Sequence, residues 1–270
     1  MNWGQFLCTR PVAMATGKSW RRMHSPMLFR LAKALQSKPK HWPYDVVVVE
    51  SNPSLDSLRA LRHDFRSQSK TVLQHDHGAG PRRGRHQSRR TTRIADLARH
   101  SLTNEQDAEA LVRFLRALNP RGRVLELGTS LGVMAAHLTR SGWEVETWEG
   151  CPNTRDLALK GWARLELGHR INSKLGTFRE LLAQLGPDDQ WDVVYLDGHH
   201  DEVETLHLVK ALSSRIRLAL VVDDIAWSSG MHRAWLELRE WEEWRVSLSW
   251  RGRGVLLRAP HMAEQHVRLA

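Results

Sequence analysis

From Arg121 onward, short apolar runs alternate with amphipathic stretches, and this alternation leaves few architectures open. Val124-Leu125-Glu126-Leu127 reads as a buried strand, and a tight turn leads into a helix over Leu131–Ser141. Glu144–Glu149 is a second strand, followed by the helix Thr154–Leu165. A weaker strand near Arg170–Lys174 precedes a helix over Phe178–Leu185. Trp191–Asp197 and Leu218–Asp223 are the fourth and fifth strands, with the helix Glu202–Ser213 between them and Gly230–Trp241 after them. Strands separated by helices imply a parallel sheet covered on both faces. Arg245–Trp250 and Gly254–Arg258, joined by Arg251-Gly252-Arg253, read as a hairpin that adds an antiparallel terminal element. The expected architecture is α/β, a doubly wound Rossmann-like sheet.

The first part of the chain has a different texture, and we read it as a mainly helical extension over residues 1–92, ahead of a domain at 93–260 and a tail at 261–270. Ser25-Pro26 is a helix-start signal for Met27–Leu35. Asn52-Pro53 repeats it before Leu55, Leu58, Leu61 and Phe65. Tyr44–Glu50 has the valines of a strand, and Thr71–Gln74 is another candidate that enters the turn Asp76-His77-Gly78-Ala79-Gly80. A basic loop over Pro81–Thr92 follows, and then helices around Ile94 and Leu97 and around Ala108–Leu115.

With 270 residues the chain can bury a core without staples, and its two cysteines make no disulfide framework. No apolar run is long enough to cross a bilayer, and Met1–Lys18 lacks the apolar centre of a signal peptide. These features point to the cytoplasm. Lys+Arg 40 against Asp+Glu 30 leaves a net charge of +10, which could attract nucleic acid or reflect only a drift in composition. Within Pro81–His100 the seven residues Arg82, Arg83, Arg85, Arg89, Arg90, Arg93 and Arg99 are opposed only by Asp96.

The strongest motif is Glu126-Leu127-Gly128-Thr129-Ser130-Leu131-Gly132, at a strand end and opening a helix. Glycines there allow close approach of a ligand to the backbone beyond the strand carboxyl ends. A dinucleotide fingerprint would place glycine where Ser130 stands, so a pyrophosphate cradle is disfavoured. Glu149 ends the second strand, where a carboxylate can accept hydrogen bonds from ribose hydroxyls. An ordinary strand-to-helix turn with a solvated glutamate is the plainer alternative.

These residues resemble the first two motifs of class I S-adenosylmethionine-dependent methyltransferases, over roughly residues 95–258. The resemblance implies that S-adenosyl-L-methionine is the cofactor and that Glu126, Gly128, Thr129, Ser130, Gly132 and Glu149 bind it. The family's carboxylate after the third strand is missing from Gly176-Thr177-Phe178, where Thr177 could bond the adenine and Phe178 pack on it.

Asp197 closes the fourth strand and Asp223-Asp224 the fifth, on the rim that carries the glycine turn. Converging carboxylates repel unless a cation or protons intervene, and hard oxygen ligands suit Mg²⁺. The pattern resembles the metal-dependent O-methyltransferases of the catechol, caffeoyl-CoA and macrocin types. That likeness implies Asp197, Asp223 and Asp224 as ligands, with Asp197 also available to the cofactor. Alternatively, Asp197 and Asp224 cap the helices that follow them. His199 and His200 follow Asp197-Gly198, and a histidine can take a proton from an acceptor hydroxyl. His200 is preferred as the base, by resemblance to Asp-Gly-x-His turns of this group, and Asp197 is its companion in the catalytic set.

The Asn/Asp-Pro-Pro-Tyr/Phe motif of base amino-group methylation is absent from the fourth strand end. The reading is therefore an O-methyltransferase acting on a small hydroxylated acceptor. A nucleic-acid-binding protein or RNA methyltransferase using the arginine-rich segment is the alternative. Trp235 and Trp241 lie on a core stripe, whereas Trp227, beside the acid pair, is placed to meet a substrate. The arginines of Pro81–Thr92 would seek anions, so the loop is expected to order over an anionic acceptor, unless it is only a basic linker.

Overall fold

A computed structural model describes residues 18–19, 25–36, 52–75 and 89–269. The elements, in chain order, are β1 (Lys18–Ser19), α1 (Pro26–Gln36), α2 (Leu55–Ser67), β2 (Thr71–His75), β3 (Arg89–Arg93), α3 (Ile94–Ser101), α4 (Glu105–Leu118) and β4 (Arg123–Leu127). They continue as α5 (Val133–Leu138), β5 (Glu144–Glu149), α6 (Pro152–Arg164), β6 (Ile171–Leu175), α7 (Phe178–Ala183), β7 (Trp191–Leu196), α8 (Glu202–Leu212) and β8 (Ile216–Val222). The chain closes with α9 (Ser229–Arg239), β9 (Val246–Trp250), β10 (Arg253–Leu257) and β11 (Gln265–Arg268). Tyr44–Glu50, the turn Asp76–Gly80 and residues 81–88 of the basic loop lie outside the described residues.

One sheet runs in the order β1-β11-β9-β10-β8-β7-β4-β5-β6. β6, β5, β4, β7 and β8 are parallel, and β10 is antiparallel to both β8 and β9. The central strands are buried on both faces, which explains why β4, β7 and β8 read as near-continuous apolar runs. Each fully buried Val or Leu there contributes about 1.5–3 kcal/mol. Trp148 and Trp191 meet edge to face on one side of the sheet, with centroids 6.0 Å apart.

Side chains fix where the helices begin. Ser54 caps α2 by accepting the Ser57 N–H at 3.0 Å, so the helix starts two residues beyond the expected Asn52-Pro53 signal. Asn104, Thr177, Asp201 and Ser228 cap α4, α7, α8 and α9 in the same way. The expected helix at Leu131 begins instead at Val133, because Gly132 has a left-handed backbone (φ 70°) that a helix cannot include.

Two expectations are corrected. Arg89–Thr92, placed in the basic loop, belong to β3, which pairs antiparallel with β2 in the register His75↔Arg89 to Thr71↔Arg93. The 261–270 tail contains β11, which adds in parallel to β9 and carries β1 on its other edge. β2 is tied to the main domain beyond Glu149: the Asn153 amide donates to Leu73 O at 2.8 Å, and the His75 N–H meets Cys151 Sγ at 3.3 Å. Among the described residues, no helix is long and apolar enough to cross a membrane.

Candidate functional site

The connections from β4 and β6 leave toward opposite edges of the sheet, so the crevice between β4 and β7 is the topological switch point where ligands of such sheets bind. The turn after β4 lies over that crevice. The N–H groups of Gly128 and Thr129 both donate to Trp148 O, at 3.1 and 3.2 Å. Gly128 has φ 107°, and a Cβ there would stand 2.5 Å from the Asp197 carbonyl oxygen. A Cβ on Gly132 would meet the Trp162 ring at 2.6 Å, and Trp162 Nε1 donates to Gly132 O at 2.7 Å. Both glycines thus serve close packing of the turn on its own protein, a role that glycines of such turns share with admitting a ligand. Thr129 is buried, its hydroxyl 2.6 Å from that of Thr147, and does not face the rim. Ser130 has φ 49°; its hydroxyl donates to that of Ser101 at 2.9 Å.

The two glutamates of the motif differ in environment. Glu149 is half-buried at the end of β5. Its Oε2 accepts the Ser130 N–H at 2.8 Å and its Oε1 the Cys151 N–H at 2.9 Å. The Gly150 N–H also acts on this carboxylate, which with about four lone-pair sites can still accept a hydroxyl donor. Burial pushes its carboxyl above the usual range, against the pull of the backbone N–H groups that it accepts. Glu126 is fully buried one layer below. It accepts the Thr147 hydroxyl at 2.5 Å, while Oε1 has no partner. Burial pushes its carboxyl up to about 8.

Thr177 is occupied by its own helix. It forms a capping box with Glu180, whose Oε2 accepts both the Thr177 N–H and hydroxyl at 2.8 Å. Its N–H and hydroxyl hydrogen are therefore committed within the chain. The Phe178 ring packs beneath the Gly198-His199 loop, 4.9 Å from the His199 ring and steeply tilted to it. His200 stacks on Trp227, with centroids 5.3 Å apart, and its Nε2 lies 4.0 Å from Asp224 Oδ2. His200, Trp227 and Asp224 therefore form one wall of the crevice on the β7–β8 side.

The three aspartates do not form a shared ligand set. Asp223 Oδ2 accepts the Tyr195 hydroxyl and, at 3.1 Å, Arg253 Nε, while its Oδ1 accepts the Asp224 N–H at 2.8 Å. Tyr195 also lies 3.2 Å from Asp197 Oδ2. Arg253 continues to Asp107 Oδ2 at 2.8 Å, and Asp107 Oδ1 accepts Arg251 at 2.9 Å. Burial, with the Asp223 carboxylate beside it, pushes the Asp197 carboxyl well above the usual carboxylate range, against the pull of Arg253. Neither Asp197 nor Asp224 caps the next helix; Asp201 and Ser228 do so. With both Asp223 oxygens committed and a guanidinium on one of them, these residues do not fit Mg²⁺. Among the described residues, the three potential ligands that come within 4.8 Å of one another are Glu240, Glu264 and His266, by the opposite end of β9. Sequence reasoning missed Arg253, Tyr195 and Asp107. The one available signal was an arginine in a short, otherwise apolar strand.

Ser130, His199, His200 and Asp224 all carry positive φ (49°, 66°, 36° and 52°), and all four sit on this rim. Strained backbone of this kind gathers at ligand sites.

No protein-family model matches the chain, and no curated protein matches its sequence. Solved structures do match. The SAH-bound methyltransferase PaMTH1 of Podospora anserina superposes with a TM-score of 0.56 at 14% identity, over 77% of this chain and 89% of that one. An O-methyltransferase from Bacillus cereus in complex with SAH gives 0.55 at 14% identity, over 78% and 93%. The cofactor-bound Rv0187 from MTB gives 0.54 at 18% identity, over 79% and 93%. The fold is that of class I methyltransferases. Gly128–Gly132, Glu149 and Asp197–His200 build one rim of this sheet, with Asp224 and Trp227 beside it.

Proposed function

We propose that the chain is an S-adenosylmethionine-dependent methyltransferase that transfers the methyl group to a hydroxyl of a small acceptor. The observation that carries this reading is Glu149. A half-buried carboxylate, fixed by backbone N–H groups on both oxygens and with acceptor capacity left over, is the chemistry that a ribose hydroxyl needs. Bound there, S-adenosylmethionine would supply a sulfonium methyl for transfer to a nucleophilic oxygen, with S-adenosylhomocysteine as the leaving thioether.

The chain's own residues would then divide the remaining work. Glu149 holds a ribose hydroxyl, the turn at Gly128–Ser130 shapes the floor, and Phe178 offers an apolar face beside it. Glu126 acts from below, holding Thr147 and with it the turn. His200, oriented by Trp227 and facing Asp224, accepts the proton of the acceptor hydroxyl. Asp197, whose carboxyl burial pushes well above the usual range, lines the floor. Positioning rather than covalent chemistry would supply most of the acceleration. The absence of an amino-methylation motif supports oxygen over nitrogen, and the buried free thiol of Cys151 is consistent with a reducing cytoplasm.

Isothermal titration with S-adenosylmethionine and S-adenosylhomocysteine tests the first step. Saturable binding by the native chain, lost in Glu149→Ala, is expected. Failure of the native chain to bind at millimolar cofactor would remove the proposal.

A further inference from the structure

The Asp223 carboxylate at the end of β8 already has a cation, and the chain itself provides it. Arg253 opens β10, is almost fully buried, and bridges Asp223 on β8 (Nε, 3.1 Å) to Asp107 on α4 (Nη1, 2.8 Å). Its guanidinium also lies 5.4 Å from the centre of the Trp250 ring. The planar fork of arginine suits such a bridge, because two N–H groups can address two carboxylates in fixed directions.

The backbone around Arg253 is locked. A Cβ on Gly254 would fall 2.3 Å from Trp235, so the strand lies directly on that ring. Gly252 O accepts the Ile225 N–H at 2.9 Å, which ties the segment after Asp224 to the same turn. A Mg²⁺ ion needs oxygens at roughly 2.0–2.1 Å in near-octahedral array. To gain Asp223 it would have to displace a guanidinium that Asp107 also holds.

We infer that Arg253 is the resident cation of this side of the rim, standing where a divalent ion would stand, and that Asp197, Asp223 and Asp224 bind no metal. Arg253 is then a positioning residue. It fixes Asp223, through Asp223 the hydroxyl of Tyr195, and through Tyr195 the floor at Asp197. The inference rests on the methyltransferase reading only for what the rim is used for; its test needs no cofactor, so the two can fail separately.

The probe is Mn²⁺ alone, followed through the electron paramagnetic resonance signal of the free ion. The native chain should leave that signal unchanged, or lower it in a way that Asp223→Asn and Asp224→Asn do not alter. Arg253→Gln should gain Mn²⁺ uptake, and Arg253→Gln combined with Asp223→Asn should lose it again. Arg253→Lys should behave as the native chain, because an ammonium restores the charge. Native uptake that Asp223→Asn abolishes would overturn the inference, as would a folded Arg253→Gln that takes up no Mn²⁺. If Arg253→Gln does not fold, the native titration against Asp223→Asn still decides.

Discussion

The Cα of Gly128 faces the carbonyl oxygen of Asp197 so closely that a single added methyl would stand 2.5 Å away. This contact sets the turn after β4 against the end of β7. Gly128→Ala should therefore destabilise the chain by about 2–3 kcal/mol, the scale of a side chain held in a sparsely populated backbone region. Chemical denaturation measures this, and cofactor titration of the surviving folded protein should show weaker binding. A variant as stable as the native chain would mean that the turn can move off β7.

Glu149 should govern cofactor affinity without governing the fold. Glu149→Gln keeps the shape but swaps an acceptor oxygen for a donor, and should weaken binding about tenfold or more, the scale of one charge-assisted hydrogen bond. Because burial raises the carboxyl, native affinity should fall on acidification at a pH above the ordinary carboxylate range. Titrations at a series of pH values check both, and Glu149→Gln should flatten the dependence.

Glu126 makes stability depend on pH in a definite direction. Its folded-state value of about 8 lies above the unfolded value, so between the two the unfolded chain has lost a proton that the folded chain retains. Its contribution to stability is therefore fully present below the unfolded value and declines as pH rises toward about 8. Glu126→Gln should gain stability relative to the native chain over that window, by up to a few kcal/mol at about 1.4 kcal/mol per unit. Thermal melts at pH 5 and pH 8, run in parallel, give the difference.

His200→Gln should lower kcat by roughly 10²–10⁴, the usual range for loss of a general base, while leaving cofactor affinity unchanged. Asp224→Asn should have a smaller effect of the same kind, since the 4.0 Å contact orients the ring rather than reacting. Steady-state kinetics with a set of hydroxylated acceptors, alongside cofactor titration, separates the two effects. Equal losses in cofactor binding would return His200 to a packing role against Trp227.

The parallel core was legible because its strands are buried on both faces, and continuous apolar runs such as Leu218–Val222 carry that signature in the sequence alone. β11 was not legible. Of Gln265, His266, Val267 and Arg268 only Val267 is buried, so this strand reads as polar tail. Glu149 does end β5, the second of the expected strands. The fate of the three aspartates could not be read in the same way. What decides it is an arginine 30 residues from Asp223 and 146 from Asp107, brought in by an antiparallel strand. Sequence proximity showed the acids gathering, but tertiary pairing gave Asp223 its counter-ion.

Four rim residues, Ser130, His199, His200 and Asp224, hold a left-handed backbone that costs a non-glycine residue about 1–2 kcal/mol. Glycine at any of these positions would relax the chain, and laboratory selection for heat resistance would find such changes early. The thermostable descendants of this protein should therefore lose their crevice before they lose any of their sheet, and a library enriched for survival would map the site by what it discards.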